Sequence, residues 1–242
     1  MVYFISDIHL GLFGRQRERE RETLLIDFLE KISGDATHLI IAGDLFDYWF
    51  EYKTVIPRAF VRTLGVLNEL QTSGVRIEYV MGNHDFGHWD FFEHDLGIPV
   101  HKEDIVREYS GCRFYISHGD GKSYKDTGYK ILKKILRSPV SLKLYSWLHP
   151  DAGIGLALAS SRKSRKHTDQ KDYGQRDGML DFAKSKIEEG FDYVIMGHRH
   201  QAVRKQFGKG WYVNLGEWIN NPTFARFDGE KIELMRVADF LD

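Results

Sequence analysis

Cysteine is nearly missing from this chain: Cys112 stands alone among 242 residues, so no disulfide can close within it. Its setting, Cys112-Arg113-Phe114-Tyr115-Ile116, alternates as a strand does and predicts a buried small residue rather than a nucleophile. Five prolines are too few for a proline-rich linker or a fibrous repeat. No window reaches the ~18 apolar residues of a membrane span. The apolar segment after Met1, Val2-Tyr3-Phe4-Ile5-Ser6, is too short for the core of an export signal, so a reducing, cytoplasmic location is expected. Charge of one sign is also lacking. With 34 basic and 35 acidic residues the formal net charge is -1, which argues against a protein that coats nucleic acid with its whole surface. What remains is 42% hydrophobic and 29% charged, the make-up of an ordinary folded protein. The length favours one domain, residues 1–242, that carries an elaboration.

Short apolar runs that end in polar motifs dominate the pattern. Val2 to Ser6, Leu39 to Ala42, Ile77 to Met81, Phe114 to Ser117 and Tyr193 to Met196 each read as a buried strand, followed at once by Asp, Asn or His with Gly close by. Between the first two runs, Leu24, Leu25, Phe28, Leu29 and Ile32 fall on one helical stripe, and a second helix is expected from about Arg58 to Leu70. This β-α-β order predicts a partly parallel sheet. After Gly197 four strands are expected, Ala202 to Phe207, Trp211 to Leu215, Thr223 to Phe227 and Ile232 to Val237, with turns at Gly208-Lys209-Gly210 and Asp228-Gly229 and antiparallel pairing. Together these predict an α/β protein, a mixed α/β/β/α sandwich of two sheets with outer helices.

One stretch stands outside that scheme. From Lys122 to Lys171 there are twelve basic residues and three acidic ones, interleaved with apolar residues. Leu132, Ile135 and Leu136 lie beside Lys130, Lys133, Lys134 and Arg137. A helical insertion at about 122–171 with an apolar and a basic side is expected. A solvated hairpin that merely covers the core is the plainer reading of the same pattern.

The strand tips carry metal-ligand chemistry: Asp7-Ile8-His9, Gly43-Asp44, Gly82-Asn83-His84-Asp85, Ser117-His118-Gly119-Asp120 and Gly197-His198-Arg199-His200. Any one alone is weak. Five at the carboxyl ends of five strands would converge on one cleft, and alternation would send Asp7 with His9, and His198 with His200, to the same side. The other histidines, His38, His88, His94, His101, His149 and His167, read as surface or core-edge residues. The candidate ligands Asp7, His9, Asp44, Asn83, His118, His198 and His200 mix carboxylate, amide and imidazole without thiolate. That is too many for one tetrahedral ion and suits two divalent ions, Mn first, with Fe, Mg or Zn as alternatives to it.

The ordered series Asp-x-His, Gly-Asp-x-x-Asp, Gly-Asn-His-Asp, His-Gly-Asp and Gly-His-x-His resembles the calcineurin-like metallophosphoesterase superfamily over essentially the whole chain. The resemblance implies the metallophosphoesterase fold and one metal held by Asp7, His9, Asp44 and His200. It implies a second held by Asp44, Asn83, His118 and His198, with Asp44 shared. It also implies His84 as the catalytic residue beside the metals, acting as an imidazolium, with Asp47 orienting it. Adjacent side chains on an extended segment point apart, which sets His84 away from the metals if Asn83 is a ligand.

A closer resemblance rests on Gly43-Asp44-Leu45-Phe46-Asp47-Tyr48-Trp49, Asp126-Thr127-Gly128-Tyr129 and the basic, apolar insertion. These look like the UDP-2,3-diacylglucosamine pyrophosphatases of lipid A biosynthesis. In that family water attacks the pyrophosphate to give UMP and 2,3-diacylglucosamine 1-phosphate, under an insertion that acts as a lid. The resemblance implies substrate contacts at Asn83, His84, Asp126, Ser161, Arg165 and His198, a lipid-linked sugar nucleotide as substrate, and peripheral attachment at the inner face of the cytoplasmic membrane. It implies no nucleic acid and no obligate protein partner. The chain departs from the family's best-known branch, where arginine and glutamate stand at the positions of His84 and Asp47. A soluble nucleotide phosphatase or other phosphodiester or phosphomonoester phosphatase is the alternative function; a nuclease would want aromatics interleaved with a basic groove, which a net charge near zero does not favour, and a non-catalytic scaffold would show gaps among the ligands.

Overall fold

The computed structural model describes residues 1–122, 134–168 and 178–242, with the backbone alone for 160–168. Among them, β1 (Val2–Ile5), β2 (His38–Ile41), β3 (Arg76–Val80) and β4 (Val100–His101) run parallel. The strands β10 (Thr223–Phe227) and β11 (Ile232–Arg236) extend this sheet antiparallel beyond β1, in the order β11-β10-β1-β2-β3-β4. The second sheet is ordered β5-β6-β7-β9-β8, from β5 (Ile105–Tyr109), β6 (Cys112–Ser117), β7 (Tyr193–Met196), β8 (Ala202–Phe207) and β9 (Gly210–Leu215).

Alternation along β1 explains the layering. Tyr3 and Ile5 face the helices α1 (Arg15–Ile32) and α2 (Val61–Thr72), while Val2 and Phe4 face Phe114, Ile116 and Ile195 of the other sheet. Both faces of the strand are therefore apolar and buried, as parallel sheets require. On the far side, α6 (Gly178–Glu188) packs Met179 and Ala183 against Val194, Met196 and Tyr212. Helix, sheet, sheet, helix is the order of the layers, as expected.

Three expectations need correction. The C-terminal strands are not simply antiparallel: β8 and β9 form an antiparallel hairpin, yet β9 lies parallel to β7, and β10 crosses to the other sheet. Cys112 is half-buried because it opens β6 opposite Tyr109 at the sheet's end, and burial pushes its thiol pKa up. His88 is no edge residue; its ring sits among Trp49, Tyr79 and Phe92 with centroids 5.8, 4.7 and 4.8 Å away.

In the stretch where an insertion is expected, the described helices are α4 (Pro139–Tyr145), capped by Ser138 accepting from the Ser141 N–H at 3.2 Å, and α5 (Pro150–Thr168). Between β3 and the insertion, α3 (Phe91–His94) is a single turn held from below by Glu51. Oε2 of Glu51 accepts the N–H groups of Trp89, Asp90 and Phe91 at 2.7, 2.8 and 3.0 Å, and Oε1 accepts the Trp49 indole at 2.9 Å.

Burial alone would raise the Glu51 pKa, but His88 and these donors bring it down to about 2 from 4.5. A carboxylate whose folded pKa is depressed stabilises the fold above its unfolded pKa and loses that contribution as pH falls through the folded one. Glu51→Gln is therefore expected to lower stability by about 3 kcal/mol at pH 7, with the gap closing between pH 4.5 and about 2. Urea unfolding of both proteins at pH 7 and pH 3 checks this; an equal gap at both would refute it.

Candidate metal centre

Five parallel strand ends deliver the polar residues, but not by extended alternation. Asp7, His9, Asp44, His198 and His200 have φ of 53, 51, 54, 68 and 56°, in the left-handed region that non-glycine residues rarely visit. The sharp turns this conformation makes bring each side chain inward. Such strain persists only where surrounding contacts fix it, and the contacts are present: the Asp7 N–H donates to Gly43 O at 3.1 Å and the His9 N–H to Asp44 O at 2.9 Å. Glycines let the loops close on one another. A Cβ on Gly43, whose φ is 90°, would stand 2.8 Å from the Gly82 Cα, and one on Gly82 would collide with the Asp44 carboxylate.

Two donor groups result, joined through Asp44. In the first, the His200 Nε2 lies 3.2 Å from Asp7 Oδ1 and 3.2 Å from His9 Nε2, and His9 Nε2 is 3.8 Å from both Asp7 Oδ1 and Asp44 Oδ2. In the second, His118 Nε2 is 3.3 Å from Asp44 Oδ2 and 2.9 Å from Asn83 Oδ1. The His198 ring centroid is 5.1 Å from that of His118. The other His118 nitrogen, Nδ1, lies 2.9 Å from the Ala42 carbonyl and carries a hydrogen toward it; burial would lower the His118 pKa, but Asp44 and Asp7 raise it to about 10, so Nε2 also holds a proton until a cation takes its place.

Burial would raise the pKa of Asp7 and Asp44, yet the surrounding imidazoles hold both well below the usual carboxylate range: His200 and His9 act on Asp7, and His118 and His84 on Asp44. Burial lowers His198 to about 4.

These residues fit divalent cations. Asp7 Oδ1 is buried and receives no hydrogen bond of regular geometry, while imidazole nitrogens from two histidines face it and each other. Ligand atoms of Asp7, His9 and His200, of His9, Asp44 and His84, and of Asp7, Asp44 and His118 each lie within 4.8 Å of one another. Repelling lone pairs and uncompensated buried carboxylates at such separations are costly unless positive charge lies among them.

His84 and Asp47 meet as expected, with Nδ1 of His84 3.3 Å from the Asp47 carbonyl and 3.6 Å from Oδ1. Two differences emerge. Asp47 Oδ1 is also 3.5 Å from His9 Nδ1, so one carboxylate serves two rings. Burial pushes His84 down to about 4, so its resting form near neutral pH is the neutral imidazole, not the imidazolium. The Asp47 carbonyl assigns the ring hydrogen to Nδ1.

Several residues support the ligands; Arg21 and Ser6 gave no distinct signal in the sequence, and Asp85 stood in the Gly-Asn-His-Asp motif without disclosing its task. Asp85 is buried and accepts the Leu45 and Gly82 N–H groups at 2.9 Å each and the Tyr79 hydroxyl, tying the second and third ligand loops together. Arg21, on α1, donates to the carbonyls of Ile8 and His9 and braces the first loop. Ser6 donates its hydroxyl to Asp7 Oδ2 at 2.6 Å. Of the expected substrate contacts from the insertion, Asp126 lies outside the described residues; Ser161 and Arg165 fall on α5, and their side chains lie outside the described ones. Beside the centre a cavity of about 810 Å³ is bordered by Met81, Phe86, Asp120, Lys122, Arg137 and Leu142.

Comparison with known proteins agrees with this geometry. The profile of the calcineurin-like phosphoesterase family matches residues 1–202. A UDP-2,3-diacylglucosamine hydrolase of Porphyromonas gingivalis is 35% identical over 257 residues, spanning 98% of each chain. One of Yersinia pseudotuberculosis is 26% identical over 244 residues, covering 96% of this chain and 97% of that one. A solved archaeal phosphodiesterase shares the fold at a TM-score of 0.50 and 14% identity, covering 97% of this chain and 98% of its own.

Proposed function

The chain belongs to the calcineurin-like phosphoesterase family and is a hydrolase, and on that premise we propose that it cleaves the pyrophosphate of UDP-2,3-diacylglucosamine, releasing UMP and 2,3-diacylglucosamine 1-phosphate. One observation carries the lipid part of this reading. Of the twelve large hydrophobic residues exposed among the described ones, seven fall between Ile135 and Leu156: Ile135, Leu136, Val140, Leu144, Trp147, Leu148 and Leu156. A soluble-substrate phosphatase has no use for an exposed apolar face on the segment beside its active centre.

Asp7, His9, Asp44 and His200 would hold one divalent cation and Asp44, Asn83, His118 and His198 the other, with Mn²⁺ the proposed metal. Two such cations, when bound, supply charge neutralisation at the phosphoryl oxygens and lower the pKa of an attacking water. The chain's own residues do the rest. Asp44 faces both donor groups and fixes their separation. Asp47 orients the His84 ring through Nδ1, leaving Nε2 to accept the proton from the attacking water. Asn83, His84 and His198 meet the phosphates, and Asp126, Ser161 and Arg165 of the insertion the sugar nucleotide. The whole acts as one domain with the insertion at about 122–171 as lid.

No helix among the described residues is long and apolar enough to cross a membrane. The proposed attachment is peripheral, at the cytoplasmic face, with Trp147 at 74% exposure entering the interface and neighbouring cations meeting anionic headgroups. Incubation of the Mn²⁺-loaded protein with UDP-2,3-diacylglucosamine should release UMP. Cleavage of a small phosphodiester without any UMP would overturn the substrate while leaving the family intact.

Binding to phosphatidylglycerol vesicles should weaken with salt, since each basic residue near the surface contributes about 1 kcal/mol at low ionic strength. Leu144→Ser with Trp147→Ser should abolish it in a flotation assay while small-diester hydrolysis continues. Undiminished flotation of that variant would count against attachment through this face.

A further inference from the structure

We infer that Arg137 and Tyr145, both carried by the insertion, are positioning residues for the two core loops that bear His84 and Asp47. Arg137 belongs by sequence to the basic side of the insertion, yet its Nη2 donates to the Gly82 carbonyl, and its guanidinium lies 5.7 Å from the Phe86 ring centroid. Gly82 immediately precedes Asn83 and His84. The loop it starts has little slack, because the His84 N–H donates to Asp44 Oδ1 at 2.8 Å and Asn83 Oδ1 sits 2.9 Å from His118 Nε2.

Tyr145 grips the other loop. Its ring packs 4.7 Å from that of Phe50, its hydroxyl accepts from Tyr48 at 3.1 Å, and it donates onward to the Gly153 carbonyl. Tyr48 directly follows Asp47, the carboxylate facing both His9 and His84. On the insertion side the fit is close: a Cβ on Gly153 would press on the Tyr52 hydroxyl and stand 3.2 Å from the Tyr145 ring, so a side chain there would displace the ends of these tyrosines.

A segment that only covered the core would rest on it through apolar side chains. This one instead hydrogen-bonds the main chain of one loop and a side chain adjoining the general-base pair on the other. Support of this kind outside the ligands is worth about 10–100-fold in metal affinity or activity.

The inference rests on the centre being a cation-dependent phosphoesterase site, not on the lipid substrate. Its test therefore uses bis(p-nitrophenyl) phosphate and calorimetric titration of the metal-stripped full chain with Mn²⁺. Arg137→Ala is expected to lose about 10–100-fold in kcat and in Mn²⁺ affinity with KM unchanged, and dilute guanidinium should restore part of the kcat. Tyr145→Phe, which keeps the ring and removes one hydroxyl, should lose roughly two- to tenfold, the worth of a hydrogen bond.

If both variants melt at lower temperature but keep wild-type kcat and Mn²⁺ affinity, the contacts are merely structural and the inference falls. A wild type that neither binds Mn²⁺ nor cleaves the diester overturns the functional reading and this inference with it. Variants that match the wild type overturn the inference alone.

Discussion

Asp44→Asn is expected to reduce phosphodiester turnover by roughly a thousandfold or more, taking several kcal/mol of charge stabilisation at about 1.4 kcal/mol per tenfold in rate. No other ligand should cost as much alone. The residue is buried, its Oδ2 faces His118 at 3.3 Å and His9 at 3.8 Å, and its Oδ1 accepts the His84 N–H. An amide would keep the last of these bonds and lose the negative charge that both donor groups share. Two bound cations would then face each other without the anion between them. Metal analysis of the purified variant should find fewer than two Mn²⁺ per chain. Two tightly held ions with near-normal turnover would show that Asp44 is not the shared ligand.

For His84→Ala the expected loss is about 10²–10⁴-fold, the usual worth of a positioned acid–base group, with both Mn²⁺ ions retained. Asp47→Ala should lose less in rate. Because Asp47 Oδ1 lies 3.5 Å from His9 Nδ1 as well as 3.6 Å from His84 Nδ1, this variant should also bind Mn²⁺ more weakly, which His84→Ala should not. The two losses in kcat should fall well short of adding, since groups acting as a unit are non-additive. Stopped-flow kinetics on the single and double variants decides it: full additivity would assign Asp47 to a task separate from His84.

Much of the layered fold could be read from short continuous apolar runs such as Val2–Ile5 and Tyr193–Met196, because strands buried on both faces need them whatever their neighbours. Ala202–Phe207 and Thr223–Phe227 are strands at the expected bounds. Sheet membership was not readable: nothing local in Trp211–Leu215 says that it lies parallel to β7, since pairing is decided by which edge is open when the sheets assemble. The short β4 and the single-turn α3 fall below the length at which periodicity speaks.

At the site, residue types were legible and geometry was not. Asp7 and His9 do converge, but through left-handed turns that the pattern Asp-Ile-His does not disclose. Arg21 acts through the carbonyls of Ile8 and His9, and Asp85, though it closes a motif, acts through the N–H groups of Leu45 and Gly82; the sequence pattern discloses neither task. Arg137 looked like one more surface cation, and only the fold turns it toward Gly82.

The place of β1 sets an order in time. Val2 pairs with Phe227, Tyr3 with Arg226 and Phe4 with Ala225, so one edge of the strand has no partner until β10 leaves the ribosome. At about 5–20 residues per second, that interval is on the order of 10–40 s. The same delay separates Asp7 and His9 from His200, which completes their donor group only after β7 is in place. A nascent chain paused before β7 therefore carries an open apolar strand edge and half of a cation site, a state in which a chaperone or a premature metal would meet the protein at its most vulnerable.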